Sequence, residues 1–483
     1  MKKRTIILII VLIIFSIAVT PKAFENDLFT AIRCGNEIMQ NGLHANGAYV
    51  WHEGIEFDNI RWLFDLIVTL IHNNFGNFAL YVLNIIFVFL YVITTYIYSR
   101  KKGYSELYSF FAAIVFMILF RQLVSLRAQI MSYLLVVFEY FILEALDKNG
   151  KNICIFLLFI ISILIANLHG SMFIFYLIMF LPYIAEGLLH KLKIRDTKKI
   201  EIGDNKHYRK MLLAFLVSII GGFINPNFEA PFVYLIRTSF NISYLSIITE
   251  LKPLNISNST TYICWIAIIV MTIIVTDKKI RLRNILYFLG FLTLTLSAVR
   301  MGAFLVISTF FWVSDLFHDY ITKNELNIGN KHLKTFIIVS IILIIVLLSV
   351  ASIIEKMFKR YIDTDVFPVD VANYILTNLD YKNIRIYNSF NTGSYLEMME
   401  IPAFIDSRPE MYTKSFNNTN LFKDYVLLTS GKISYREIFK TYDITHVLME
   451  KDNFLNKSME YDDHLKIIYQ DDIFVLYEVV EKY

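Results

Sequence analysis

Charge is scarce in this chain. Only 18% of its 483 residues are Asp, Glu, Lys or Arg, against 56% hydrophobic and 16% aromatic, too apolar a balance for an ordinary soluble domain. Cysteine is scarcer still: Cys34, Cys154 and Cys264 cannot build a disulfide framework, and no pair has the spacing of a metal or redox motif. No Gly-rich phosphate loop follows a strand, and no Ser-His-Asp or Cys-His constellation stands in a recognisable context. A nucleotide-sugar donor bound from the cytoplasm is therefore not expected. Internal repeats and low-complexity segments are absent too. The net charge of +4 gives no support to a nucleic-acid partner, because in a membrane protein the side on which each charge lies matters more than the sum.

What is abundant is long apolar runs. They begin near Ile6, Phe78, Leu107, Ala128, Ile153, Met172, Met211, Tyr262, Ile285, Ala303 and Phe336, each close to the roughly 20 residues a helical crossing needs. The reading is a polytopic α-helical membrane protein of about eleven transmembrane helices, with an uncleaved first span. Basic residues collect at Met1–Arg4, Arg100–Lys102, Lys148 with Lys151, Lys191–Lys210, Lys278–Arg283 and Lys323–Lys334. All fall on one side if each run crosses once, which places the N-terminus in the cytoplasm and the C-terminus outside. Residues 1–354 form the membrane part, with long outer loops at about 21–76 and 225–260.

Residues 355–483 change to a mixed polar composition and read as an extracytoplasmic α/β domain. A helix is expected from Pro368 to Leu379. Short strands are expected at Ile384–Tyr387, Ala403–Asp406, His446–Met449, Leu465–Tyr469 and Ile473–Val479, the last two joined by a hairpin turn at Asp471-Asp472. So small a sheet has little core of its own.

The first outer loop spends about fifty residues where a few would suffice, and loops of that length are usually functional. It carries Asp27, a helix-like run from Leu28 to Gln40, then Trp51-His52-Glu53 and Trp62-Leu63-Phe64-Asp65, amphipathic pieces suited to the interface plane. Asp27 also fits the N-cap of the helix that follows it. A zinc site from His44, His52 and Glu53 has no i, i+4 pairing to support it.

With a short first span, an acidic residue soon after it, this long loop, about eleven spans and a polar C-terminal domain, the chain resembles the GT-C superfamily, the polytopic glycosyltransferases that use lipid-phosphate-linked sugars. The run from Asp27 through Gly35, Ile38 and Gly42 to Trp62-Leu63-Phe64 is similar to the first loop of bacterial GT-C-like proteins. The paired acidic motif common in the family is missing: Glu25 stands two residues before Asp27, with Asn26 between. No cofactor is expected, while dependence on a divalent metal stays open. The resemblance implies a membrane glycosyltransferase that moves a sugar from a polyprenyl-phosphate donor to a lipid, glycan or protein acceptor on the outer face, with membrane lipids as its other partners.

Such transfer needs a carboxylate at the acceptor hydroxyl and cations at the departing phosphate. Asp27 is the candidate for the first, with Glu25, Glu53 and Asp58 as competitors. For the second, Arg121, Arg127, Arg237, Lys252 and Arg300 all lie on the outer side, against the positive-inside trend; singly, each is explained by snorkelling to headgroups. His169 is a candidate substrate ligand or a packing residue. Glu250 and Lys252 could form a local ion pair, and the turn Asp406-Ser407-Arg408-Pro409-Glu410 is expected to be held by one. Glu139, alone near mid-bilayer, is expected to be satisfied by a helix–helix hydrogen bond. Two other readings stay open: a transporter or flippase of lipid-linked sugars, and a glycan polymerase or ligase.

Overall fold

The computed structural model describes residues 3–43, 50–204, 206–239, 248–323 and 331–483. In chain order the helices are α1 (Lys3–Val19), α2 (Asn26–Asn41), α3 (Trp62–Lys101), α4 (Glu106–Phe120), α5 (Ala128–Asn149), α6 (Asn152–Leu168), α7 (Phe173–Lys191), α8 (Tyr208–Gly221), α9 (Ala230–Ser239), α10 (Ile256–Val275), α11 (Leu282–Ser297), α12 (Gly302–Lys323) and α13 (Lys331–Met357). The remaining helices, α14 (Val369–Asn378), α15 (Phe390–Met398), α16 (Lys414–Asn417), α17 (Leu421–Thr429), α18 (Tyr435–Tyr442) and α19 (Phe454–Met459), are short. Strands are β1 (Ile200–Glu201), β2 (Ile280–Arg281), β3 (Ile386–Tyr387), β4 (His446–Glu450), β5 (Leu465–Gln470) and β6 (Phe474–Val479).

Every apolar run in the sequence is helical, since a helix closes its backbone hydrogen bonds within the segment and needs no water to do so. Among the described residues, six helical segments are long and apolar enough to cross a membrane: Trp62–Lys101, Glu106–Leu123, Ala128–Asn149, Gly170–Lys191, Val299–Lys323 and Thr335–Met357. Shorter apolar helices run over Asn152–Leu168, Ser259–Val275 and Leu282–Ser297. The protein is membrane-embedded by this measure.

Contacts divide the chain into two units, Met1–Lys22 with Leu80–Phe232 and Thr249–Lys359, and Ala23–Ala79 with Val233–Ile248 and Arg360–Tyr483. In the first unit α12 is central: Gly302 through Val313 are buried without interruption, and α4, α5, α10 and α11 pack around it. Tyr91, Phe116, Phe120 and Tyr133 fill the space between α3, α4 and α5 with ring contacts, a large apolar payload per residue. By contrast α13 packs mainly on α1 and leaves Phe336, Leu343, Ile344, Leu347 and Leu348 exposed, as a lipid-facing helix does. Its Lys356 turns back to donate to the carbonyls of Ala18 and Thr20, satisfying the end of α1.

The second unit holds a four-stranded sheet of order β3-β4-β6-β5. β3 pairs parallel with β4, β4 antiparallel with β6, and β6 antiparallel with β5. The Asp471-Asp472 turn closes the last hairpin, with Asp471 Oδ1 accepting from the amides of Ile473 and Phe474 at 2.8 and 2.7 Å. The strand expected at Ala403–Asp406 forms only a single parallel bridge, Val50 to Ala403, because side chains take its polar backbone groups: Asn388 accepts from the Phe404 amide and donates to the Ile405 carbonyl. Within the same unit α2 packs on α15. Gly35 of α2 lies so close to the first half of α3 that a Cβ would stand 2.1 Å from Thr69 Oγ1 and 2.5 Å from the Asp65 carbonyl oxygen. That half of α3 ends at a kink at Gly76, where φ is +71°, a conformation glycine adopts without steric cost.

Candidate active site

Each unit carries a polar group worth chemical attention. In the second unit Asp27 occupies the first turn of α2. The helix starts two residues earlier than an Asp27 cap requires, and Glu25 takes the cap position without a side-chain hydrogen bond. Asp27 is thus not the N-cap; it lies half-buried where the positive end of the helix favours a carboxylate.

Beside it stands a residue that composition and motif had not singled out. Arg61 precedes α3, and its Nε is 3.3 Å from Asp65 Oδ1. Asp65 is completely buried, its other oxygen accepting from Asn59 Nδ2 at 2.8 Å, while the Arg61 amide donates to Asn59 Oδ1 at 3.0 Å. Burial works against the Arg61 charge, but the carboxylates of Asp65 and then Asp27 more than offset it and hold the guanidinium above its usual range. An Arg followed by Asp at i+4 was the available signal, too common on helices to single out alone.

A second buried group lies close by. Arg408 donates its amide to Asp406 Oδ1 at 2.6 Å and Nε to Asp406 Oδ2 at 2.8 Å. Its Nη2 donates to Glu397 Oε2 at 2.8 Å, and its Nη1 reaches Cys34 Sγ at 3.6 Å. All three charged side chains are at most 3% exposed. Burial and then the Asp406 charge push the Glu397 carboxyl up; burial also disfavours ionised Asp406, but Arg408 outweighs it and holds that carboxyl down. Of the two carboxyls, Glu397 is thus the one pushed toward its protonated form, and Asp406 the one favoured ionised beside Arg408. The expected ion pair in this turn is therefore present and reaches further, to α15.

In the first unit the structure brings three of the expected cations to one place. Arg127, at the start of α5, donates Nη1 to Glu250 Oε1 at 2.8 Å, so Glu250 reaches Arg127 across 123 residues. The Lys252 carbonyl accepts from the Val299 amide at 3.1 Å, which docks its segment on the 3-10 turn Val299–Met301 that carries Arg300. Arg300, Glu250 and Arg127 all act electrostatically on the buried Tyr133 hydroxyl. Arg121 lies elsewhere, exposed on a 3-10 turn after α4, within electrostatic range of Lys356. His169 is buried at the turn between α6 and α7, where neighbouring Asn167 donates to the Ile224 carbonyl. Arg237, exposed in the last turn of α9, belongs with Asp27 to the second unit.

Glu139 departs from expectation: it is fully buried in α5, and neither carboxylate oxygen has a hydrogen-bond partner among the described residues. Of the three candidate zinc ligands, His52 and Glu53 fall within the described residues. His44 lies outside the described residues, and His52 hydrogen-bonds the Phe404 carbonyl at 3.0 Å. Among the described residues no three His, Cys, Asp or Glu side chains converge as metal ligands would.

No family model matches the sequence, and no curated protein matches it. Solved structures do. The archaeal oligosaccharyltransferase AglB from Archaeoglobus fulgidus, in complex with an inhibitory peptide and a dolichol-phosphate, superposes with a TM-score of 0.59 over 93% of this chain and 69% of its own, at 11% identity. The apo oligosaccharyltransferase of the same organism gives 0.57 over 93% and 70%, at 10% identity. A third structure, tethered to an acceptor peptide, gives 0.55 over 99% and 74%, at 8% identity. The fold is like that of the archaeal oligosaccharyltransferase AglB. At such identity the likeness establishes the GT-C fold alone, and the chemistry has to be argued from the residues.

Proposed function

We propose that this protein is a membrane glycosyltransferase that transfers a sugar from a polyprenyl-phosphate-linked donor to a lipid, glycan or protein acceptor on the outer face of a cell membrane. The reading joins the GT-C fold, which extends over nearly the whole chain, to one local observation: an acidic residue, Asp27, in the first turn of the helix after the first apolar run. The related archaeal structures, solved with a dolichol-phosphate and with an acceptor peptide, fit a lipid-linked donor and a separate acceptor.

In this reading Asp27 takes the proton of the acceptor nucleophile as that atom bonds to the anomeric carbon. The bond from the same carbon to the phosphate oxygen breaks, and the departing phosphate gains negative charge. Arg127, Lys252 and Arg300 supply positive charge for that anion, Arg127 sharing its own with Glu250; Arg121, His169 and Arg237 are secondary candidates for substrate contact. The proposal includes about eleven spans, a cytoplasmic N-terminus, and an extracytoplasmic domain over residues 355–483.

The test is binding and turnover of undecaprenyl-phosphate sugars by purified protein in nanodiscs, wild type beside Asp27→Ala. The expected outcome is donor binding by both and transfer only by the wild type, a loss of roughly 10²- to 10⁴-fold. Full transfer by Asp27→Ala removes the assigned base; no binding and no transfer with any such lipid removes the enzyme. One observation favours a second reading: Glu139, buried without a hydrogen-bond partner among the described residues, is the kind of intramembrane carboxylate that transporters use. Flux of lipid-linked sugar across vesicles without any acceptor distinguishes the two.

A further inference from the structure

The first loop contains a charge pair that these roles leave unused. Arg61 is mostly buried, with 15% of its side chain exposed, and its Nε and Nη2 are buried with no hydrogen-bond acceptor among the described residues. A guanidinium carries five donors in a rigid fork and is costly to bury unless the fork serves something. Three carboxylates lie within its electrostatic reach, Asp65 and Asp27 and Glu410, which accepts from the Tyr234 hydroxyl. Asp65 is fixed by its place in the first turn of α3 and by Asn59. Thr69 donates to the Ala31 and Ile32 carbonyls and Asn73 to Asn36, so α3 runs alongside α2 in the same direction and the Arg61–Asp65 turn lies level with the first turn of α2, which carries Asp27.

Charge counting decides what the pair is for. Asp27, Arg61 and Asp65 sum to −1 before Glu410 is counted, and Arg408, which acts on both Arg61 and Asp65, is engaged by Asp406 and Glu397. A group that is net negative repels a phosphate, so Arg61 serves a carboxylate rather than an anionic ligand. We propose that Arg61, anchored by Asp65, is a positioning residue for Asp27: it holds the carboxylate ionised and in one orientation, so that a proton can be taken from a neutral acceptor. This rests on the reading of Asp27 as the base. The ionisable groups that act on the pair include Asp27 and Cys34 on α2, Asp65 on α3, Glu410, and Arg408, which acts on both Arg61 and Asp65; Arg408 in turn carries Asp406 and Glu397.

The experiment uses full-length protein in nanodiscs and has two readouts. A hydrophobic carbodiimide reacts with carboxyl groups in their protonated form, so the pH of half-maximal labelling of Asp27, read by mass spectrometry, reports its charge without any sugar substrate. Transfer is measured alongside with the undecaprenyl-phosphate donor. Arg61→Met alone leaves Asp65 buried and unpaired, a risk to folding; Arg61→Met with Asp65→Asn removes both charges and keeps the interior neutral.

In that double variant, with a wild-type gel-filtration profile, half-labelling of Asp27 is expected to move up by about one pH unit or more, and transfer to fall about tenfold or more at little-changed donor KM. Arg61→Lys, which keeps the charge and loses the fork, is expected to label near the wild-type pH and to transfer at an intermediate rate. Wild-type labelling together with wild-type transfer in the folded double variant would show a merely structural pair and overturn the proposal. If the double variant does not fold, Arg61→Lys decides: transfer at the wild-type rate overturns the fork's role, and reduced transfer at unchanged labelling supports it. Should Asp27→Ala itself remain active, the base assignment fails separately, and the labelling shift still reports whether Arg61 governs the Asp27 charge.

Discussion

His52 is neutral because burial disfavours its charged form, and its pKa is lowered to about 4. Its Nε2 carries the proton and donates to the Phe404 carbonyl, while its ring packs on Trp51, Phe404 and Tyr442. Between the unfolded value of 6.5 and the folded value of about 4, the unfolded chain binds a proton that the folded one refuses. Stability contributed here is therefore complete above about pH 6.5, is lost as pH falls through that window, and levels off below it, by on the order of 3 kcal/mol. Thermal unfolding of the second unit at pH 7 and pH 4.5 should show a smaller acid penalty in His52→Phe than in the wild type. Arg408 offers a larger effect. Arg408→Met strands the Asp406 charge in the interior and is expected to cost about 3–5 kcal/mol, whereas Arg408→Met with Asp406→Asn should recover most of that loss; equal melting points for the two variants would contradict this account.

At the scale of elements, the contact between α2 and the first half of α3 depends on the missing side chain at Gly35. Thr69 Oγ1 donates to the carbonyls of Ala31 and Ile32 at 3.3 and 3.1 Å, a close approach that an added methyl group prevents. Gly35→Ala is expected to destabilise by roughly 1–3 kcal/mol, seen as a lower melting temperature with unchanged helicity. The helices were legible from sequence because apolar runs in lipid have one way to satisfy their backbone; the hairpin of β5 and β6 was legible because an Asp-rich turn stood between alternating strands. Ala403–Asp406 was misread as a strand because its hydrogen-bond partners are side chains from residue 388, which periodicity does not reveal. The pairing of Arg408 was legible by its place in one turn. Arg61 and Glu397 were not, since each matters through a neighbour far away in sequence or hidden among common helix spacings.

For the whole molecule, the helical character of the apolar runs followed from composition and run length, and the GT-C-like fold from the resemblance carried by the first loop and the order of spans, while the partition into units did not. Residues 23–79 pack with residues 360–483, and no local pattern links segments so far apart. The Arg408 contact with Cys34 spans 374 residues; that thiol is buried and its pKa is pushed up to about 12. Cys34 should resist maleimide in the complete protein and react readily in chains truncated before Arg408; equal reactivity in both would mean that α2 is shielded without the late segment. The same separation sets a timetable for synthesis. At roughly 5–20 residues per second, α2 leaves the ribosome some 20 seconds to over a minute before the residues that cover it exist. During that interval an early, half-apolar helix needs a temporary partner, so the newborn chain is exposed to proteases and dependent on chaperones at its beginning rather than at its end.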